Sequence, residues 1–137
     1  MIDIENKVID TISQAFSGVA TVSSVYVESP ATFPWVYARQ MSNVGYTRSY
    51  DNELRDHHVR VTFRLEYFSA KESGAKQEVK AMMQIGDNCM QGMKFRRTAS
   101  GLIPNWDRTI TRGYADYSAV VGEPTEVGGD TVFQIYR

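Results

Sequence analysis

Between residues 57 and 67 the side chains alternate without a break. Val59, Val61, Phe63, Leu65 and Tyr67 fall on one side, and His58, Arg60, Thr62, Arg64 and Glu66 on the other. A period of two is a strand with one apolar and one charged face. The charged face has to meet water or a partner, because an unpaired charge is costly to bury. After Ser69, Ala70, Lys71 and Glu72 the period changes. Ala75, Val79, Met82, Met83, Gly86 and Met90 share one face of a helix, with Cys89 at its margin. Lys76, Lys80, Gln84, Asp87, Asn88 and Gln91 share the other. The simplest arrangement lays this helix across the apolar face of the sheet, with Gly86 in mid-stripe allowing a close approach. Strand and helix together predict a two-layer α+β core.

The rest of the chain supplies more of the same layers. Ile4, Val8, Ile12 and Phe16 recur every four residues, flanked by Ile2 and Ile9, and predict a first amphipathic helix with Gly18 as its stop. Its apolar stripe is expected on the same sheet; docking on a neighbouring subunit is the rival. The run 21–27 (TVSSVYV) and the run 33–41 (FPWVYARQM) read as an early hairpin, with Pro34 at a strand start or on an edge. Residues 42–56 have no clear period, and read as one long connection or as two strand tips with a turn. Past the second helix, Gly92 reads as its stop, and residues 93–98 (MKFRRT) as a strand. Residues 108–121 form a long strand in which Gly113 marks a bulge, with Ile110 and Arg112 on one face and Tyr114 and Asp116 in line after it. Residues 131–137 (TVFQIYR) read as a closing strand. Both of its faces are partly apolar, so it is either central or covered by something outside the chain. The expected fold is α+β, a mixed or antiparallel sheet with two helices packed on one face, in one domain over residues 1–137.

Composition narrows the function classes. A 42% hydrophobic and 23% charged chain is ordinary for a soluble globular domain. The formal net charge of -1 gives no global pull toward nucleic acid or membrane. Cys89, the one cysteine, cannot form an internal disulfide, which suits a reducing compartment. The first residues, MIDIENKVID, lack a basic start and an unbroken apolar run, so no signal peptide is expected. No stretch is long and apolar enough to span a bilayer. No catalytic constellation stands out: there is no G-x-S-x-G elbow and no phosphate loop. His57 and His58 point to opposite faces of a strand, poor geometry for a shared metal, although Asp51, Glu53 and Asp56 lie nearby. Cys89, at the edge of an apolar stripe, reads as a structural thiol. An enzyme is therefore not expected, and no metal or cofactor. A small enzyme or ligand-binding domain would need a deep pocket between sheet and helices.

Candidate interaction residues are of two kinds. Tyr46, Arg48, Tyr50, Glu53 and Arg55 combine tyrosine, arginine and acid in a long polar segment, the residue types favoured at interfaces, or else form a solvated loop. His58, Arg60, Arg64 and Glu66 on the charged strand face, with the basic residues Arg96, Arg97 and Arg112 on neighbouring strands, would form a surface of both signs suited to another copy of the chain. Phe133 and Tyr136 are the aromatic candidates of the closing strand. A different use of the basic residues is single-stranded nucleic acid binding. Lys94, Arg96 and Arg97 around Phe95, with Arg108 and Arg112, would then form a basic sheet face with an aromatic to stack on. The near-neutral net charge favours a plain water-facing sheet instead.

The order helix, two strands, long connection, long strand, helix, further strands resembles the tail-terminator or tail-completion proteins of long-tailed bacteriophages. The residues that carry the resemblance are F-P-W-V-Y at 33–37, V-R-V-T-F-R-L-E-Y-F at 59–68, S-A-K-E-S-G-A-K-Q-E-V-K at 69–80, M-K-F-R-R at 93–97 and the later R-T-I-T-R-G-Y-A-D-Y strand. The resemblance runs from the first helix to about Val121 and leaves the closing strand unmatched. Such proteins assemble as a homo-oligomeric, commonly hexameric, ring on the finished end of the tail tube. The resemblance implies a virion protein of the neck, assembled in the bacterial cytoplasm, whose partners are the tail tube protein and the head-connector proteins. DNA would be passing cargo, no membrane would be involved, and no bond would be made or broken. It also implies that residues 42–56 reach the tube or connector and that Lys94, Arg96 and Arg97 belong to a subunit interface.

Overall fold

The structure, a computed structural model, describes residues 2–25, 33–45, 58–104 and 109–136. Its elements in chain order are α1 (Glu5–Ala15), β1 (Thr21–Ser23), β2 (Trp35–Gly45), β3 (His58–Ser69), α2 (Ala75–Gly92), β4 (Arg96–Ile103), β5 (Thr111–Gly122), β6 (Thr125–Val127), β7 (Asp130–Val132) and β8 (Ile135–Tyr136). The main sheet has the order β1-β2-β3-β5-β4, with β8 also on β5; β6 and β7 form a separate two-stranded ribbon. The fold is α+β and the sheet is mostly antiparallel, with both helices on one face.

The alternation at residues 57–67 decides the layout. Val59, Val61, Phe63, Leu65 and Tyr67 are wholly buried. They meet Ala115, Tyr117, Ala119 and Val121 of β5 on the same face, and α1 and α2 lie over this surface with Val8, Ile12, Val79, Met82 and Met90. The β3–β5 ladder is unbroken from His58↔Gly122 to Ser69↔Thr111. Two glycines let α2 come close. A Cβ on Gly86 would stand 1.9 Å from the Tyr67 hydroxyl oxygen, and one on Gly113 would stand 2.7 Å from Val79 Cγ1. Gly113 therefore makes room for the helix, and there is no bulge at it; the bulges lie at Met41 in β2 and Thr98 in β4.

Several boundaries differ from the sequence expectation, each for a physical reason. Helix α1 ends at Ala15, and Gly18, at φ 76, belongs to the turn after it. β1 covers only Thr21–Ser23 and runs parallel to β2, so the expected early hairpin is not formed. β2 continues to Gly45, taking in the first part of the aperiodic segment. α2 ends at Gly92 as expected, but the left-handed residue that closes its cap is Lys94. Lys94 adopts φ 70, its N–H donates to Gln91 O at 2.9 Å, and the Phe95 N–H donates to Met90 O at 2.9 Å. This is a Schellman cap with lysine where glycine is usual. Phe95 and Met90, both fully buried, supply the apolar contact that goes with it. Because residues 93 and 94 form the cap, β4 starts only at Arg96. The expected closing strand is split: Asp130–Val132 pairs with Thr125–Val127 across Gly128-Gly129, and Ile135–Tyr136 joins the edge of β5. Among the described residues no helix is long and apolar enough to cross a membrane.

Candidate interaction surface

The face of the sheet away from the helices carries the charges. Arg64 and Asp116 stand directly opposite each other on β3 and β5. Their side chains form a two-pronged pair, Nε to Oδ1 at 2.7 Å and Nη2 to Oδ2 at 3.0 Å. The Asp116 hydrogen bond holds the Arg64 guanidinium charged even above its ordinary range, against the opposing effect of burial. The guanidinium also lies over the Tyr114 ring, 4.9 Å from its centre. One rung away, Arg112 donates to Glu66 at 2.5 Å and covers the Phe68 ring at 5.4 Å. Glu66 is only 3% exposed, so its charge is tolerated because this cation meets it.

Beside these pairs the same face is apolar. Trp35, Tyr37 and Phe68 are buried together, with Phe33 and Ile110 packed on them. The rings of Trp35 and Phe68 are 4.9 Å apart, and the Arg39 guanidinium sits 5.7 Å from the centre of Tyr37. The outer face thus has a small aromatic core at one end and a ladder of ion pairs in the middle. Arg60 is exposed, with Nη1 3.5 Å from Ser118 Oγ. Tyr136 is half exposed and meets the His58 ring edge-on at 5.7 Å.

The predicted residues do not gather into one patch. Arg60, Arg64 and Arg112 lie on the outer face, and Arg64 and Arg112 are already paired within the chain. Arg96 is exposed at the start of β4. Arg97 points to the helix side and donates to Asp87 Oδ1 at 3.2 Å. Phe133 packs against the main core. Tyr46, Arg48, Tyr50, Glu53 and Arg55 lie outside the described residues.

The basic face around Phe95, the alternative use of these residues, is not assembled, since Phe95 is fully buried against Phe63 at 5.7 Å and Lys94 is in the helix cap. A buried ring cannot stack on a base, and an Arg112 already paired with Glu66 is a poor phosphate anchor.

Sequence reading missed the polar cluster on the helix side. Asp87 Oδ1 accepts from the Tyr117 hydroxyl at 3.1 Å as well as from Arg97, and Gln91 donates to its Oδ2 at 2.8 Å. Burial, reinforced by the Asp87 charge, pushes the Tyr117 phenol far up; burial does the same to its neighbour Tyr67. The signal lay in the helix pattern, where Asp87 follows directly on Gly86 at the border of the apolar stripe. Cys89 is half-buried, its thiol pushed up by burial, beside an open groove of about 690 Å³ between the helices. Among the described residues no group of three or more His, Cys, Asp or Glu is placed to hold a metal.

Comparison of the sequence with protein-family models and with curated proteins gives no match.

Proposed function

We propose that this chain is a non-enzymatic structural protein of the tail-terminator or tail-completion kind, working as a homo-oligomeric, hexameric ring at the end of a phage tail tube. There it would cap the tube and join it to the head connector, with DNA passing through the lumen and no membrane or cofactor involved. One observation carries the reading. The elements follow one another as helix, strands, long strand, helix, further strands, the order on which the sequence resemblance rests. The outer sheet face suits such a role, because its charges are largely neutralised in place and it would recognise by shape. Subunits of a ring meet through two different surfaces, so two distinct parts of the chain would face each other.

Sedimentation of the purified protein, alone and with isolated tail tubes, tests this. The expected result is a ring-sized species, either free or formed on tube ends. A monomer under both conditions overturns the proposal. Binding to single-stranded DNA that falls steeply with salt would favour the nucleic-acid-binding alternative instead.

A further inference from the structure

The β6–β7 ribbon is the one part of the described chain built as a sheet yet left off the main sheet. Its strands have three residues each and pair only with each other. Residues 123–129 are all exposed, and Val127 keeps 61% of its surface in water. A lone two-stranded ribbon is marginally stable in water and needs a further strand or a packing surface.

Its base, by contrast, is firmly held. The Gly122 N–H donates to Gln134 O at 2.8 Å, Phe133 and Ile135 pack against the core, and β8 pairs with Val120 and Val121. The ribbon is thus an arm held at its root, with residues 123–129 exposed to water. From these facts we propose that it docks on the β4 edge of a second copy of this chain.

The choice of β4 follows from charge and from topology. β4 ends the main sheet, and among the described residues no strand pairs with its far side. Residues 94–103 contain Lys94, Arg96 and Arg97 and no acid, whereas residues 122–132 contain Glu123, Glu126 and Asp130 and no base. Arg97 is engaged by Asp87 of its own chain, which leaves Arg96, exposed at the strand start, to meet Glu126. The arm does not pair with its own β4. β8 takes the same edge of β5 as β4, at Val120 and Val121, while β4 begins at Ser118 and runs away from there to Arg112. The arm leaves from the Gly122 end, beyond β8, in the opposite direction. Arm and edge are different surfaces, so the contact is head-to-tail and closes into a ring when its rotation allows. Added strands use main-chain hydrogen bonds for affinity and side chains for register.

The inference rests on the chain being self-assembling, and the test separates the two claims. Self-association is measured by sedimentation at low salt for wild type, Glu126→Arg, Arg96→Glu, the double variant, and a chain in which residues 125–132 are replaced by two glycines. Each single reversal should weaken association about tenfold or more, and the double variant should recover most of it. The shortened chain should melt like wild type but fail to assemble. If it assembles with wild-type affinity, the arm is not the contact, and the ring reading stands. If it still self-associates but no longer binds tail tubes, the arm's partner is the tube and the second-copy assignment falls. If wild type is monomeric both alone and on tubes, both claims fall. Should the shortened chain not fold, the charge reversals decide: two weak singles without recovery in the double refute the pairing.

Discussion

Replacing Gly86 by alanine should destabilise the protein, although alanine is the better helix former. The added methyl would lie 1.9 Å from the Tyr67 hydroxyl oxygen, 3.0 Å from its Cζ and 3.3 Å from Leu65 Cδ2. Ordinary contact requires a retreat of roughly 1.5 Å. Tyr67 has no room to swing aside, being wholly buried with the Phe16 ring 6.1 Å away. Overpacking of this kind costs about 1–3 kcal/mol, and the gain in helix propensity offsets about 1 kcal/mol. The net loss should be about 0–2 kcal/mol, a fall in Tm of up to roughly 8 °C for a chain of this size. The Tyr67 hydroxyl makes no properly aligned hydrogen bond, although Tyr117 is its neighbour. Tyr67→Phe should therefore be close to neutral by itself. In that background the nearest atom is gone and only the contacts at 3.0 and 3.3 Å remain, so Gly86→Ala should cost about 1 kcal/mol less than in the wild type. Urea unfolding of the four proteins, followed by circular dichroism, gives the coupling. Equal effects of Gly86→Ala in both backgrounds would refute the close-approach account.

Lys94→Gly should raise stability by about 0.5–1 kcal/mol, because glycine takes the left-handed cap conformation without a Cβ penalty; a lower Tm would show that the lysine side chain matters more than its backbone. Alkali should unfold the protein in a way set by its buried phenols. Tyr67 and Tyr117 hold their protons above the ordinary range. The unfolded chain releases those protons first as pH rises past about 10, so stability is full below that pH and is then lost, by up to about 1.4 kcal/mol per unit and per phenol. Ultraviolet titration should show these two of the eight tyrosines ionising only as circular dichroism reports unfolding. All eight ionising near pH 10 with the fold intact would contradict this.

The central layers were legible in the sequence because they are written in period. Val59 to Tyr67 and Val79 to Met90 each name their face without help from any other segment, and the burial follows them. Gly86 was readable for the same reason. What could not be read was anything fixed by a distant partner. β1 has three residues, and only their placement beside Trp35–Tyr37 makes them parallel. Gly113 looks like a bulge until Val79 is set on top of it. Lys94 carries no local sign of a positive φ, since the conformation is imposed by Met90 and Phe95 both entering the core. The surface was half legible. Alternation placed Arg64, Glu66, Arg112 and Asp116 on outward faces, but their pairing required knowing which residues of β5 stand opposite β3.

That pairing bears on how the two longest strands find their alignment. The apolar side chains of β3 and β5 repeat every second residue, so the hydrophobic effect barely distinguishes the native alignment from one displaced by two. The ions do distinguish them. A displacement one way sets Glu66 directly against Asp116, and like charges facing each other across a ladder are repelled. The opposite displacement leaves Asp116 facing Thr62 and carries Arg64 away to Tyr114, undoing the two-pronged contact. Paired ions on the face away from the helices thus remove the native frame's nearest competitors, and the sheet arrives at a single frame.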